Sequence, residues 1–286
     1  MRVAGVTLVV RAPRATPVLV PSRLRAGFLA RRGADITLDL VEERPPLPEP
    51  GSLLFDSGGV WRVHRHGRGW LYVFETEKLE PALYKAVSLD RTFRRGRLYF
   101  PRPTRGRRPP SALEFPLDEL LFQHYLARHG QIEVHGCAVE HEKRVLLFCG
   151  VSGAGKTTTA DLWRRHRRGA RILSDDRVVL RLQAGRPWAY GTPWHGSGRF
   201  ALPDGRPLAA VFFLEHAPQT EPQPLSPASA AAVLFARSFP PPWDRDALAR
   251  VLATCDRVVQ RVPCFRFGFR PDRTAVEAAS AAVART

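Results

Sequence analysis

The stretch Val145-Leu-Leu-Phe-Cys-Gly-Val-Ser-Gly-Ala-Gly-Lys-Thr157 decides the fold of this chain. Its second part, Gly150–Thr157, matches the phosphate-loop pattern GxxxxGK[ST] at every fixed position. The residues before the loop have the pattern of a buried strand, and Thr157–Arg168 has the pattern of a helix. Because strand, loop and helix are the context in which such loops bind phosphate, a chance glycine-rich turn explains the match poorly.

The residue types of the loop predict how it would bind a nucleotide. The glycines at 150, 153 and 155 are expected to take positive φ and to let the backbone approach phosphates closely. Backbone N–H groups and the N-terminus of the following helix favour anionic oxygens. Lys156 would reach the β- and γ-phosphates, and the Thr157 hydroxyl would bind magnesium. The sequence therefore predicts the cofactors ATP and Mg²⁺, bound by Gly150, Val151, Ser152, Gly153, Ala154, Gly155, Lys156, Thr157 and Thr158.

An aspartate pair follows one helix after the loop. Ile172–Asp176 has the pattern of an apolar strand that ends in Asp175 and Asp176. Neighbouring side chains of a strand point to opposite faces, so both carboxylates can serve one site only where the strand breaks into a turn. One carboxylate would then hold the metal and the other would accept a hydroxyl proton. In isolation the pair is better explained by a surface turn or a helix cap, but its place after the loop and an apolar strand favours the functional interpretation.

The order of three motifs resembles the catalytic domain of HPr kinase/phosphorylase. His135-Gly136 precedes the loop, Gly150–Thr157 forms it, and Ser174-Asp175-Asp176 comes one helix later. The resemblance covers roughly residues 115–182 and extends to phosphoenolpyruvate carboxykinase, which shares that nucleotide-binding core. It implies an α/β fold with a mixed sheet.

The resemblance also implies roles for single residues. Lys156 and Thr157 would hold phosphate and magnesium. Asp175 would be the base that takes the hydroxyl proton, while Asp176 would assist with the metal or with orientation. His135 would lie near the transferred phosphate. The implied catalytic residues are thus Asp175, Asp176, Lys156 and His135, and the implied metal ligands are Thr157 and Asp176.

One later segment departs from the HPr kinase pattern. The Glu-Arg-Gly-Leu-Gly motif of that family is missing, and Tyr190-Gly-Thr-Pro-Trp-His-Gly-Ser-Gly198 stands in its place. This segment, together with Val262-Pro-Cys-Phe-Arg-Phe267 and Arg270-Pro-Asp272, is similar to HPr-kinase-like proteins of peptide natural-product pathways, including kinases of lasso-peptide precursors. The departure argues against HPr as substrate and against the reverse phosphorolysis. Whether the site includes His195, Arg199 or Glu215 stays open.

Composition limits the possible partners. The net charge of +17 comes almost entirely from arginine, since the only lysines are Lys78, Lys85, Lys143 and Lys156. The arginines are scattered, with local clusters such as Arg94–Arg97. No RNA-binding or zinc-finger signature accompanies them. We therefore expect a solvated basic surface without a specific nucleic-acid partner. An acidic or phosphorylated partner is left open.

The cysteines and the lengths of the apolar runs indicate the cellular compartment of the protein. The four cysteines form no CxxC pair, so we expect reduced and mostly buried thiols. No apolar run approaches the ~20 residues that span a bilayer, and Arg11 and Arg14 interrupt the N-terminal segment that faintly resembles an export signal. We expect a cytoplasmic protein without membrane association.

The chain of 286 residues suits two modest domains or one large one. The first hundred residues are rich in strand patterns, and the Pro- and Arg-rich segment Pro101–Ser111 has the composition of a linker. We predict a small β-rich N-terminal domain over residues 1–108 and an HPr-kinase-like phosphate-loop kinase domain over residues 109–286. Within the second domain, His216–Ser229 is predicted to be a loop and Asp246–Gln260 a helix.

The leading functional hypothesis is an ATP- and magnesium-dependent kinase that phosphorylates a Ser-type hydroxyl of a peptide or protein, with a small-molecule hydroxyl as the second choice of acceptor. A nucleotide-binding sensor without phosphate transfer is the main alternative. The missing Glu-Arg motif favours that sensor, and the complete set Lys156, Thr157, Asp175 and Asp176 opposes it. A nucleic-acid-dependent ATPase is suggested by charge alone. A homo-oligomer is left open.

Overall fold

A computed structural model describes residues 1–13, 18, 23–30, 32–77, 82–101 and 111–284. Their contacts divide into two compact units. The first unit comprises Met1–Arg2, Val6–Ser22 and Ala30–Phe122, and the second comprises Val3–Gly5, Arg23–Leu29 and Gln123–Thr286. Most of the predicted linker and the predicted boundary between residues 108 and 109 lie outside the described residues, so that domain boundary stays a prediction.

The first sheet has eight strands in the order β1-β2-β3-β8-β7-β6-β5-β4. The pairs β4–β5, β5–β6, β6–β7 and β7–β8 are antiparallel, whereas β3 pairs parallel with both β2 and β8. A short helix, α1, lies between β2 and β3 in the chain. The strands are β1 Arg2–Val3, β2 Val6–Arg11, β3 Ile36–Val41, β4 Leu53–Asp56, β5 Trp61–His66, β6 Gly69–Glu75, β7 Leu83–Leu89 and β8 Arg95–Tyr99, and α1 is Arg23–Ala26.

Side-chain alternation gives this sheet a buried face and a partly exposed face. Leu38 of β3 and Leu98 of β8 are fully buried, while their neighbours Asp39 and Arg97 are exposed. Asp39 and Arg97 face each other in the β3–β8 register. The exposed positions of β3 and β8 therefore lie side by side on one face, as the two-residue period of strands requires.

The second sheet has mixed pairing, in the order β10-β9-β12-β13-β14-β16-β15. Strand β14 pairs parallel with β10 and with β16, while β9 pairs antiparallel with β10, β11 and β12. The elements are α2 Leu117–Arg128, β9 Ile132–His141, β10 Arg144–Cys149, α3 Lys156–His166, β11 Arg171–Ser174, β12 Arg177–Gln183, β13 Arg186–Gly191, β14 Gly205–His216, β15 Glu221–Pro224, α4 Pro227–Ala236, α5 Arg245–Val259, β16 Cys264–Phe269 and α6 Arg273–Ala284. The chain is thus of mixed α/β class.

Two apolar clusters cover the faces of the central strands β10 and β14. Leu147 and Phe213 belong to the cluster that includes residues of α4 and α5, whereas Phe148 and Phe212 belong to the cluster that includes residues of α3 and α6. Because alternate side chains of both strands enter opposite clusters, these strands are buried on both faces. The segment predicted to be a phosphate loop begins directly after β10 and is therefore attached to the centre of the core.

The prediction of a loop over His216–Ser229 is wrong. This segment contains β15 and the beginning of α4, whose N-cap Ser226 accepts a hydrogen bond from the backbone N–H of Ser229. Prolines 222 and 224 lower the strand propensity of β15, but this strand lies at the end of the sheet order, where a missing N–H is tolerated. The tertiary pairing with β16 therefore decides the structure here.

The four cysteines are free and buried, as expected from the sequence. Burial raises the pKa of the Cys255 and Cys264 thiols to about 12, so both are protonated and unreactive at neutral pH. Within the described residues, no helix has both the length and the apolar character needed to cross a bilayer.

A buried polar network joins α2 to the N-terminus of α5. His124 is fully buried; its Nε2 donates to Asp244 Oδ2 over 2.9 Å, and its Nδ1 accepts from Nε1 of Trp243 over 3.3 Å. Asp244 is the N-cap of α5 and also accepts from Arg128 over 2.5 Å. One ring nitrogen of His124 donates and the other accepts, which is the pattern of a neutral imidazole.

We predict that His124 makes the fold sensitive to mild acid. Burial lowers the pKa of His124, against the opposing effect of Asp244, while the unfolded chain keeps an ordinary value near 6.5. As the pH falls, His124 therefore takes up a proton in the unfolded state before it does so in the folded state. The contribution of neutral His124 to the free energy of unfolding is present above pH 6.5 and decreases below it, by up to about 1.4 kcal/mol per pH unit. Urea unfolding between pH 7.5 and 5.5 should show a steeper loss for the parent than for His124→Gln, which does not titrate. Equal slopes would contradict this role.

Candidate nucleotide site

The predicted phosphate loop lies between the end of β10 at Cys149 and the first residue of α3, Lys156. Gly155 is the N-cap of α3 and has φ 99°, and a Cβ at this position would lie 2.5 Å from the ring of Phe269. Positive φ and close packing therefore both require glycine here. Gly153 also has positive φ, but the same expectation for Gly150 is wrong: a Cβ there would lie 2.7 Å from Ala154, so packing and not φ selects that glycine.

A cavity of about 330 Å³ opens beside the loop. Its lining residues come from the loop and α3, from the strand β9 and from two later turns. They are His135, Ser152, Gly153, Gly155, Lys156, Thr157, Thr158, Asp175, Asp176, Gly196 and Ser197. The structure thus brings all four predicted catalytic residues to one cavity, together with five of the predicted nucleotide-binding residues besides Lys156. Gly150, Val151 and Ala154 do not line it.

The Lys156 side chain folds back over the loop. Its Nζ donates to the carbonyl oxygens of Gly150 and Val151 over 3.1 and 2.9 Å. Burial lowers the pKa of Lys156, against the opposing effect of the Asp176 charge. The ammonium group is therefore held at the cavity wall by two neutral acceptors, which a bound anion would outcompete.

Asp175 anchors the turn that follows β13. Its Oδ1 accepts from the backbone N–H groups of Gly196 and Phe200 over 2.9 and 3.3 Å, and its Oδ2 accepts from that of Gly198 over 2.8 Å. The residue is 1% exposed. Three backbone donors thus occupy this carboxylate. Its direct effect is therefore to hold the turn after β13 in place, and its oxygens are not free to bind a substrate.

The anchored turn brings Ser197 into the site, which sequence reasoning missed. Ser197 Oγ lies 3.3 Å from Oγ1 of Thr157, the predicted magnesium ligand. The sequence signal that could have found Ser197 is the pair of glycines on either side of it, Gly196 and Gly198. The structure gives the reason for these glycines, because a Cβ at Gly198 would lie 2.7 Å from Oδ2 of Asp175. His195 and Arg199 belong to the same turn but do not line the cavity, and Glu215 forms an ion pair with Arg266 elsewhere.

We predict that Gly198→Ala displaces this turn. The added Cβ would lie 2.7 Å from Asp175 Oδ2 and from the ring of Phe200, so one of these contacts must open. Such overpacking costs about 1–3 kcal/mol, which urea unfolding would measure. Gly59→Ala is the matched control, because its nearest atom lies 3.6 Å away. Equal stability of the two variants would show that the turn yields without cost.

Asp176 has a different environment from its neighbour. Its Oδ1 lies 2.8 Å from Nε2 of His135, and its Oδ2 accepts from Arg177 over 2.8 Å. Burial alone would raise the pKa of Asp176, but His135, Arg177 and Lys156 outweigh it and hold that pKa below the ordinary range. The Asp176 side chain is 27% exposed, so an ionised carboxylate faces the cavity.

Contacts with neighbouring residues fix the partners of Asp176. Arg177 Nε lies 3.4 Å from Oε1 of the buried Glu133, and its guanidinium lies 4.2 Å from the ring centre of Phe239. The backbone N–H of Gly136 donates to the Asp176 carbonyl over 3.0 Å, which ties the turn to β9. His135, Asp176 and Arg177 are therefore held in place by neighbouring strands.

The oxygen donors of this cavity suit magnesium that is shared with phosphate. No group of three or more His, Cys, Asp or Glu side chains able to hold a metal occurs among the residues that the structure describes. Magnesium usually binds through one or two carboxylates together with substrate phosphates and water. The Asp176 carboxylate and the hydroxyls of Thr157 and Ser197 fit that pattern, whereas a closed protein cage is not present in the described part of the chain.

Of three comparisons with known proteins, the comparison with solved structures gives matches. No family model matches the chain, and no curated protein matches it. Among solved structures, the HPr(Ser) kinase/phosphatase from Coxiella burnetii is similar over 52% of this chain and 94% of that chain, with 12% sequence identity and a TM-score of 0.30. Similarity at this level carries no argument about activity. The likeness to lasso-peptide kinases stays a prediction.

Proposed function

We propose that this chain is an ATP-dependent kinase that transfers the γ-phosphate to a Ser-type hydroxyl of a peptide or protein. One observation carries the proposal: the ionised carboxylate of Asp176 lines the same cavity as Lys156 and Thr157 of the phosphate loop. A phosphate-binding loop alone serves many functions. A fixed carboxylate beside it is what a hydroxyl acceptor requires.

The loop would bind the phosphates through its backbone and through Lys156. The N-terminus of α3 adds a positive field at the position where Gly155 caps the helix. Lys156 would exchange its two carbonyl acceptors for phosphate oxygens and so offset negative charge on the moving group. The hydroxyls of Thr157 and Ser197 would hold magnesium together with phosphate, and the ion would supply further neutralisation of charge there. This leaves the Asp176 carboxylate, which the resemblance gave to the metal, for the hydroxyl proton.

Asp176 is proposed as the group that accepts the hydroxyl proton. The resemblance gave that role to Asp175, but Asp175 is buried and its oxygens accept three backbone N–H groups. Asp176 faces the cavity and is oriented by His135 and Arg177. Asp175 is then a positioning residue that holds Ser197 beside Thr157.

A nucleotide sensor remains the second candidate because of one feature of the same carboxylate. Both oxygens of Asp176 already have partners, so its charge is balanced without any acceptor molecule. A protein that binds ATP and changes conformation would need no more than this. Transfer of phosphate separates the two functions.

The test is incubation with γ-labelled ATP, magnesium and a library of serine-containing peptides. A matched library in which alanine replaces serine is the control. Label that enters the serine library alone supports the kinase. Stable ATP binding without transfer supports the sensor, and hydrolysis that is stimulated by a nucleic-acid polymer would support an ATPase instead.

A further inference from the structure

A second cavity, of about 600 Å³, lies in the first unit on the exposed face of its sheet. Four arginines line it: Arg68 in the β5–β6 turn, Arg91 in the β7–β8 turn, and Arg95 and Arg97 on β8. We call these four residues and the space between them the arginine groove. It shares no residue with the candidate nucleotide site.

The positive charge of the groove is only partly balanced. Asp39 lies in the groove 3.8 Å from Arg11, and Asp90 is occupied by Thr92 and by the backbone N–H groups of the β7–β8 turn. Arg68, Arg95 and Arg97 are exposed, and none of them forms an ion pair or side-chain hydrogen bond within the described ranges. Four arginines against two aspartates leave the groove with an excess of positive charge, which favours an anionic ligand.

The spacing of the arginines suits an extended peptide. Arg95 and Arg97 point to the same face of β8, so they are about 6.6–6.8 Å apart along the strand. An extended peptide presents its alternate side chains at the same interval. Carboxylates at positions i and i+2 of such a peptide can therefore meet both guanidinium groups, each as a paired, charge-assisted contact.

A nucleic acid fits the groove less well. Asp39 and Asp90 lie among the arginines and would repel a continuous chain of phosphates. Single-stranded nucleic acids also bind through stacking of successive bases on aromatic side chains, and the described lining residues offer two rings for this, those of Tyr99 and His66. A peptide can place neutral or basic residues opposite the two aspartates, which a phosphate backbone cannot do.

We propose that the arginine groove binds an acidic, extended peptide segment with carboxylates at alternate positions. This proposal goes beyond the proposed kinase activity and does not depend on it, because the groove lies in the other unit and needs no nucleotide. Arg95 and Arg97 would carry the recognition, and Arg68 would contribute from the adjacent turn.

The test is fluorescence anisotropy with the full chain, without ATP, at near-physiological salt. The probe is a fluorescein-labelled peptide of alternating Glu and Ser, and a peptide with the same composition but separate Glu and Ser blocks is the comparison. The parent should bind the alternating peptide more tightly than the block peptide. Arg95→Glu with Arg97→Glu should weaken binding of the alternating peptide about tenfold or more.

The matched control is Arg65→Glu with Arg94→Glu, which makes the same charge change at exposed positions outside the groove and should bind like the parent. Arg68→Glu provides a second groove variant if circular dichroism shows that the double variant is misfolded. Equal affinity of groove and control variants would overturn the proposal. So would a single-stranded RNA that binds more tightly than the peptide and loses this binding in the groove variant. Lys156→Ala should bind the peptide like the parent, so this test is separate from that of the kinase.

Discussion

Replacing Lys156 with alanine is expected to reduce phosphate transfer by about 10²–10³-fold, which is the typical effect of removing one charge-stabilising donor. Lys156 Nζ is held at the cavity wall by the carbonyls of Gly150 and Val151, within reach of the space beside the loop. Alanine leaves the backbone N–H groups of the loop in place but removes the point charge. Nucleotide affinity should fall about tenfold or more, since hydrogen bonds to charged groups contribute about 1.5–3 kcal/mol.

The measurement combines calorimetric titration with ATP and magnesium and a transfer assay on the same preparations. Lys143→Ala is the matched control, because Lys143 is exposed in the β9–β10 turn and does not line the cavity. It should match the parent in both assays. Parental binding and transfer by Lys156→Ala would remove the phosphate-loop assignment.

Replacing Asp176 with asparagine is expected to abolish transfer, with a loss of about 10²–10⁴-fold for the missing base. Asparagine keeps the shape of the side chain, so the fold should persist. It removes the ionised carboxylate, so the effect of magnesium on ATP affinity should also weaken. Binding of ATP itself should be affected less than transfer, because the backbone of the loop and Lys156 are unchanged.

Asp175→Asn is the matched neighbour and should fail in a different way. Its oxygens accept three backbone hydrogen bonds, and an amide NH₂ cannot accept. Each hydrogen bond to a charged group contributes about 1.5–3 kcal/mol. Asp176→Asn also loses an acceptor for His135 or Arg177, but its side chain is 27% exposed, so urea unfolding should show a larger loss of stability for the buried Asp175→Asn than for Asp176→Asn. Parental transfer by Asp176→Asn, combined with lost transfer by a stably folded Asp175→Asn, would restore the assignment that the resemblance implied.

Local sequence signals predicted the strand before the glycine-rich loop and the helix after it. The motif fixes the loop, and the apolar strand before it and the helix after it are both present as β10 and α3. The predicted strand Ile172–Asp176 is too long at its end, because β11 ends at Ser174. This break meets the condition under which both carboxylates can serve one site, and both Asp175 and Asp176 line the same cavity. These features depend on short stretches of chain, where glycine conformation and strand periodicity decide the structure.

The different environments of Asp175 and Asp176 depend on residues that are distant in the sequence. Asp175 is occupied by backbone groups of Gly196, Gly198 and Phe200, and Asp176 by His135, far earlier in the chain. No local pattern reveals which of two neighbouring carboxylates meets which partner. The place of Ser197 followed from the same tertiary contact. Strand β15 likewise depended on pairing with β16 and not on the propensity of its proline-containing sequence.

The most direct test of the central proposal is a single-turnover transfer measurement with the enzyme in excess over γ-labelled ATP, in the presence of magnesium and the serine-peptide library. The parent and Asp176→Asn are compared after calorimetry has established that each binds ATP. We predict that the parent moves the label from ATP to peptide, while Asp176→Asn keeps the label on bound ATP. A parent that binds ATP with magnesium and transfers no label to any peptide, or an Asp176→Asn variant that transfers at the parental rate, would contradict the proposal.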